Sequence, residues 1–133
     1  MPLTFEVREN GRLVCARITD PWTLAELETF GRQEKLVRDG SHVVIHSLVD
    51  VRGMHRIPPG FLNMARRMPV LNHPTRGHMV IIGASAFATA LTETLIKITR
   101  AGKIKFFKTE EDAIEYIRKV IAEEAPKTEQ KVE

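Results

Sequence analysis

A run of β-branched and apolar residues near the middle of the chain decides the fold: Val43-Val44-Ile45-His46-Ser47-Leu48-Val49. Continuous apolar runs of this length are typical of a strand that is buried on both faces, as in a parallel sheet covered by helices. The segment Asp50-Val51-Arg52-Gly53 follows and marks the carboxyl end of that strand. This stretch therefore predicts a central parallel strand in an α/β domain.

The residues before this strand predict a β-hairpin at the start of the domain. Residues 4–8 alternate between apolar and polar side chains, which is typical of a half-exposed strand. Asn10-Gly11 favours a tight hairpin turn because both residues tolerate positive φ. Residues 13–18 are apolar on nearly both faces. We therefore expect the second strand to lie inside the sheet and the first strand to lie nearer an edge.

A helix is predicted from about residue 24 to residue 38. Thr23 and Glu26 have the spacing of a capping box, in which the side chain of each residue accepts a hydrogen bond from the backbone amide of the other. Trp22 directly precedes the cap, where it can pack on Leu27 as a hydrophobic staple. The chain's single tryptophan is therefore interpreted as structural rather than as a platform for ligand stacking.

The remaining elements alternate between strand and helix. A short helix is expected after Pro58-Pro59-Gly60, ending near Pro69, and the last helix is expected to open at Thr109. Between them we predict strands at residues 79–82 and 104–107, separated by a helix over residues 87–98 that ends at Ala101-Gly102. The element order predicts an α/β fold with a mixed, mostly parallel five-stranded sheet, an N-terminal β-hairpin and four helices.

Length and composition are those of one globular domain. The chain has 133 residues, of which 43% are hydrophobic and 28% are charged. We assign residues 1–124 to a single domain and residues 125–133 to a polar, disordered tail. No apolar run approaches the ~20 residues of a membrane-spanning helix, and the first residues lack the pattern of a signal peptide. The expected location is therefore the cytoplasm.

The segment from residue 43 to residue 53, followed by a helix, resembles the SpoIIAA-like branch of the STAS superfamily over about residues 4–122. Residues 106–117 are similar to that family's final strand and helix, where an acidic turn precedes a helix with an aromatic residue. The resemblance implies a regulatory protein-interaction domain without enzymatic activity. Some relatives in this branch are similar to lipid-transfer domains.

The same resemblance also shows a departure from the family pattern. Members that antagonise anti-sigma factors carry a phosphorylatable serine or threonine at the start of the second helix. The corresponding stretch here is Ile57-Pro58-Pro59-Gly60-Phe61, with prolines at the hydroxyl positions. Proline has no hydroxyl group, so phosphorylation at this site is not expected.

Basic residues are concentrated in the middle of the chain. The formal net charge is +3, and residues 51–92 contain five arginines and no acidic residue. This pattern favours a positive surface for an acidic protein partner, although a merely solvated basic face explains it as well. Helix N-termini at the carboxyl edge of the sheet could also attract an anion. The candidate contacts for a partner or an anion are Asp50, Arg52, His55, Arg56, Arg66, Arg67, Gly83 and Ser85.

An apolar cleft is the alternative candidate site. Met64, Met68 and Phe87 fall on the second and third predicted helices, where they could line a pocket for a small molecule or a lipid. This hypothesis describes a ligand-binding module rather than a protein-interaction domain, and the sequence leaves both open. A homodimer is also left open.

The pattern of reactive residues does not indicate catalysis or metal binding. Cys15 lies within a strand, and Ser85 is better explained as a helix N-cap than as a nucleophile. His46 is expected to be a buried, hydrogen-bonded core residue. The five histidines lack the spacing of a helical metal site, and no phosphate-binding glycine motif occurs. We therefore predict no catalytic residue, no metal, no cofactor and no nucleic-acid partner.

Overall fold

A mixed sheet with helices on both faces forms the domain. The computed structural model describes the backbone of residues 3–99 and 102–132, and the side chains of residues 3–97 and 102–124. Within these residues the strands are β1 (Leu3–Arg8), β2 (Leu13–Thr19), β3 (Ile45–Gly53), β4 (Arg76–Ile82) and β5 (Ile104–Phe107). The helices are α1 (Leu24–Asp39), α2 (Phe61–Ala65), α3 (Pro69–Asn72), α4 (Ala86–Thr99) and α5 (Glu110–Val132).

The strands lie side by side in the order in which they occur along the chain, β1-β2-β3-β4-β5. β1 pairs with β2 antiparallel, whereas β2, β3, β4 and β5 are parallel neighbours. The mixed, mostly parallel five-stranded sheet with its N-terminal hairpin is therefore confirmed. β1 is at an edge and β3 is in the centre, as the sequence predicts.

The order of the strands explains where the helices lie. Each crossover steps in the same direction along the sheet, and right-handed crossovers then place all their helices on one face. That face carries α1 to α4, and its core includes Trp22, Leu27, Phe30 and Met68. The helix α5 follows the last strand and covers the opposite face. There its buried side chains pack on β2, β3 and β4; the core of this second face comprises Leu13, Leu48, Val80, Ile82, Ala113, Ile114 and Ile117.

Local signals at the start of α1 are confirmed. The Thr23 hydroxyl accepts a hydrogen bond from the Glu26 amide at 3.1 Å, and the Thr23 amide donates to the Glu26 carboxylate at 3.0 Å. Trp22 is buried in the same cluster as Leu27, and its indole Nε1 donates to the Arg56 carbonyl at 2.9 Å. The structural role predicted for the tryptophan therefore holds.

The second predicted helix, expected to end near Pro69, is shorter than predicted: α2 ends at Ala65, and an additional short helix, α3, begins at Pro69. Met68 has an extended backbone (φ −71°, ψ 142°), as expected for a residue that precedes proline. Pro69 then occupies the first turn of α3, where a missing amide proton costs nothing. The described residues thus contain five helices rather than the predicted four.

Several element boundaries also differ from the prediction. β3 begins at Ile45 rather than Val43, whose side chain is 48% exposed, and β4 begins three residues early at Arg76. Ala101 and the side chain of Ile98, both assigned to the end of a helix, lie outside the described residues. The side chains of residues 125–133 also lie outside the described residues, so the disordered tail expected there stays a prediction. No described helix is long and apolar enough to cross a membrane.

Candidate functional site

An apolar cavity of about 120 Å³ lies between the sheet and the helices α1 to α4. Its walls come from all five strands and from these four helices, and they are almost entirely hydrocarbon. The space is bounded mainly by core residues that the fold brings together from distant parts of the chain: Phe30, Met68, Met79, Ile81, Ala88 and Leu95. The layer between sheet and helices therefore contains a void larger than ordinary side-chain packing leaves.

The cleft residues predicted from the sequence are only partly brought together here. Met68 is buried and lines the cavity, whereas Met64 packs on the surrounding core without lining it. Phe87 is 65% exposed at the start of α4 and lies outside the cavity. Its neighbour Ala88 faces the cavity instead, because adjacent residues on a helix point about 100° apart.

One part of the cavity wall is charged. Glu34 and Ser47 line the cavity, and the fully buried Arg38 joins them. The Arg38 guanidinium donates from Nε to Glu34 Oε2 at 2.9 Å, from Nη1 to the Ile45 carbonyl at 2.9 Å, and from Nη2 to Ser47 Oγ at 2.7 Å. The other carboxylate oxygen, Glu34 Oε1, has no hydrogen-bond partner although it is buried.

Burial governs the electrostatics of this carboxylate. Loss of hydration raises the pKa of Glu34, because a charge is disfavoured away from water. The Arg38 charge and hydrogen bond oppose that effect, and His73 and the Val70 backbone amide oppose it to a smaller extent. The effect of burial is the larger one, so the pKa of Glu34 stays above the ordinary value for glutamate. The carboxylate thus lies in a largely apolar wall, with one of its two oxygens held by Arg38.

This ion pair was not predicted from the sequence, although a signal for it exists. The buried side of α1 carries Leu27, Phe30 and Gly31, and continuing that stripe by three and then four residues reaches Glu34 and Arg38. Charged residues four apart on a helix usually form a solvated pair. The spacing of Glu34 and Arg38 therefore does not by itself indicate that this pair is buried. The helical stripe, rather than residue type, is the feature that identifies these two residues.

A second charged cluster lies at the carboxyl end of β3 on the α5 face. Asp50 is buried, and Arg52 contacts both of its oxygens, from Nε at 3.0 Å and from Nη2 at 2.7 Å. Arg17 donates to Asp50 Oδ2 at 3.1 Å, and Glu110 lies 3.6 Å from Arg17 and 3.8 Å from Arg52. The hydrogen bond from Arg52 is the main cause of the lowered pKa of Asp50. Two acids and two bases balance in this cluster, which weakens its attraction for an anion.

The glycine and serine predicted for an anion site have structural roles. Gly83 has φ +73°, and a Cβ there would lie 2.2 Å from Arg52 Cγ, so a glycine is needed for close packing against the arginine. Ser85 accepts a hydrogen bond from the Ala88 amide at 3.1 Å and thus caps α4, as predicted. Asp50, Arg52 and Gly83 are therefore neighbours, but as a packed and paired group.

The arginines of the acid-free segment do not form one surface. Arg52 lies at the carboxyl end of β3, whereas Arg76 begins β4 at the opposite end of the sheet, opposite Ile45. The Arg76 guanidinium also donates hydrogen bonds to the carbonyls of Val70 and Gly102. The exposed basic residues between these two strands are few and lie on the loop and on the turn after α2: His55, Arg56, Arg66 and Arg67.

His46 is a core residue, as predicted. Its ring is 1% exposed, and its Nδ1 accepts a hydrogen bond from the His78 amide at 2.9 Å. The proton therefore lies on Nε2, which is 2.7 Å from Glu124 Oε1. Burial lowers the pKa of His46, and both ring nitrogens are engaged. Within the described residues, no group of three or more potential metal ligands is found.

Cys15 is partly buried in β2. Loss of hydration raises the pKa of its thiol to about 11. Since the thiolate is the nucleophilic form of cysteine, this thiol is poorly suited to nucleophilic chemistry near neutral pH. The structural interpretation of Cys15 is therefore consistent with its environment.

Comparison of the chain with protein-family models and with curated proteins finds no match. A function therefore has to be argued from the geometry and chemistry of the sites themselves.

Proposed function

We propose that the protein is a small-molecule-binding domain whose ligand occupies the apolar cavity between the sheet and α1 to α4. The observation that supports this proposal is the cavity itself, about 120 Å³ with hydrocarbon walls. Engineered protein cavities of roughly 150 Å³ with similar walls stay dry and bind benzene or xenon. The cavity therefore suits a ligand of about that size, or a short hydrocarbon portion of a larger one.

The energetics of an empty cavity favour occupation. Cavities in protein cores cost roughly 24 cal/mol per Å³, so a void of about 120 Å³ corresponds to about 3 kcal/mol. A ligand that fills the void recovers part of this energy through dispersion contacts with the walls. Binding would therefore stabilise the fold as well as sequester the ligand.

The polar groups of the cavity support binding rather than catalysis. Ser47 Oγ accepts a hydrogen bond from the Arg38 guanidinium, which opposes rather than assists its activation as a nucleophile. Thr92 also lines the cavity, and its hydroxyl donates to the Ala88 carbonyl at 2.9 Å. We accordingly propose a non-enzymatic role, in agreement with the expectation from sequence.

Benzene offers a direct test of this proposal. At ten times its dissociation constant, a ligand that binds only the folded state adds about 1.4 kcal/mol of stability. For a domain of 133 residues, that corresponds to an increase in Tm of roughly 5 °C. We expect such an increase for the wild-type protein in thermal unfolding followed by circular dichroism.

Two alanines of α4 provide a matched pair of variants. Ala88 is buried and lines the cavity, whereas Ala90 is exposed on the same helix. Ala88→Leu places three additional carbons in the void and should abolish the benzene-dependent increase, whereas Ala90→Leu should retain it. No increase in the wild-type protein, or equal increases in both variants, would contradict the proposal.

A protein-interaction surface is the second candidate function. Arg56, Arg66 and Arg67 are exposed on the segment between β3 and α3, which is free of acidic residues. An acidic polypeptide could contact this basic patch. Polyglutamate can serve as the probe: binding that weakens with salt and is lost in Arg66→Glu/Arg67→Glu supports the surface, whereas unchanged binding in that variant contradicts it.

A further inference from the structure

The unpaired oxygen of Glu34 is the least expected feature of the cavity. Glu34 is 1% exposed, and its Oε1 atom makes no hydrogen bond of ordinary length and angle, although the Val70 amide lies near enough to the carboxyl group to lower its pKa slightly. Buried polar atoms in folded proteins nearly always have a partner, so an unpaired carboxylate oxygen calls for an explanation. The position of Glu34 in the cavity wall suggests that the partner is a ligand.

We infer that the cavity selects a small, largely apolar molecule with one hydrogen-bond donor, a hydroxyl or an N–H group, which bonds to Glu34 Oε1. This inference rests on the proposed function, since it requires that the cavity be occupied. In its ionised form, which the Arg38 charge favours, the Glu34 carboxylate can only accept hydrogen bonds. The group that complements it must therefore donate.

The neighbouring groups leave this acceptor as the distinctive polar feature of the cavity. Arg38 uses Nε on Glu34 Oε2, Nη1 on the Ile45 carbonyl and Nη2 on Ser47 Oγ. The hydroxyl of Thr92 is also committed, because it donates to its own helix. With the bond from Nη1 to Thr75 Oγ1 at 3.4 Å, four of the five guanidinium N–H groups of Arg38 are engaged, and the guanidinium holds the carboxylate in place.

Substitution by glutamine reverses the polarity of this position. In Glu34→Gln the amide oxygen should face Arg38 Nε, which needs an acceptor, and the NH₂ group should then replace Oε1. The cavity would then present a donor in place of an acceptor. Pyrrole and furan detect this change because both are five-membered rings, of which pyrrole donates through N–H and furan can only accept.

The test measures binding of benzene, pyrrole and furan by NMR titration. We expect the wild-type preference for pyrrole over furan to fall at least about tenfold in Glu34→Gln, the magnitude of one hydrogen bond to a charged group. Glu28→Gln, at an exposed position of the same helix, should leave the preference unchanged. Benzene reports on the cavity alone and should bind all three proteins.

The outcomes separate the two proposals. If benzene does not bind the wild-type protein, the proposed function fails. If benzene binds but the ratio of pyrrole to furan affinity is the same in wild type and Glu34→Gln, only the present inference fails. A second measurement does not depend on the variant folding: pyrrole, but not furan, should shift the carboxyl ¹³C resonance of Glu34 in the wild-type protein. Equal shifts with both probes would overturn the inference.

Discussion

Replacing Arg38 by methionine is expected to destabilise the fold by about 3–5 kcal/mol, the usual consequence of removing one member of a buried ion pair. The Arg38 side chain is entirely buried; two of its hydrogen bonds, of 2.9 and 2.7 Å, join α1 to β3, and a third of 2.9 Å holds Glu34 on the same helix. Methionine fills a similar volume but has no donor. Glu34, the Ile45 carbonyl and Ser47 would each lose a partner in the protein interior.

The magnitude follows from these lost partners. An unsatisfied buried polar group costs about 1–3 kcal/mol, and three such costs are not additive because the groups can relax together. Glu34 can also take up a proton, which its raised pKa already favours. We therefore expect the range for a broken ion pair rather than the full sum. The loss would be a large fraction of the roughly 5–15 kcal/mol that stabilises a typical domain.

Urea denaturation at pH 7 measures this loss. With a slope of about 1–3 kcal/mol per molar urea, the midpoint should fall by about 2 M. Arg32→Met is the matched control, because Arg32 pairs with Glu28 at an exposed position of the same helix; its cost should stay within about 0.5 kcal/mol. Glu34→Leu/Arg38→Met removes both charges and should recover much of the loss. Equal midpoints for the two single variants would refute the role of the buried pair.

Three further predictions concern other parts of the molecule. Asp50→Asn should destabilise the protein more at pH 7 than at pH 2. The reason is that the lowered pKa of Asp50 contributes stability that is lost as the pH falls through the pKa of the folded state. An equal fall of the urea midpoint at both pH values would contradict this. The lowered pKa of His46 contributes stability that is complete above about pH 6.5 and declines below it. His46→Gln should therefore reduce the difference between the urea midpoints at pH 7.5 and pH 5.5. An unchanged difference would exclude the effect. Gly83→Ala should cost at least about 1 kcal/mol more than Gly11→Ala, because both positions have positive φ but only Gly83 lies against Arg52; similar Tm values for the two variants would be the opposing result.

The order of the elements could be predicted from sequence because their signals are local. The alternation at residues 4–8, the Asn10-Gly11 turn and the Thr23 capping box each depend on a few adjacent residues. The run at residues 43–49 indicates a central strand for the same reason. The strand order follows only from tertiary pairing, and nothing in the apolar pattern indicates the additional short helix α3 that begins at Pro69.

The candidate site could be predicted only in part. Met68 was identified because apolar residues at helical spacing indicate a buried face, but the same reasoning selected Phe87, which is exposed. The burial of Glu34 and Arg38 depends on how α1 is oriented on the sheet. That orientation leaves Leu36, an apolar residue of the same helix, 74% exposed. Residue type alone would therefore place Glu34 and Arg38 at the surface and Leu36 in the core, the reverse of what the structure shows.

We expect the void between the sheet and α1 to α4 to accept a small apolar guest. The most direct measurement is a crystal structure of the wild-type protein under xenon pressure, because xenon enters dry apolar cavities without needing a polar partner. We predict one strong anomalous peak among Met68, Ile81, Ala88 and Leu95. A well-ordered crystal with no xenon at that position, or with xenon only on the outer surface, would contradict the claim.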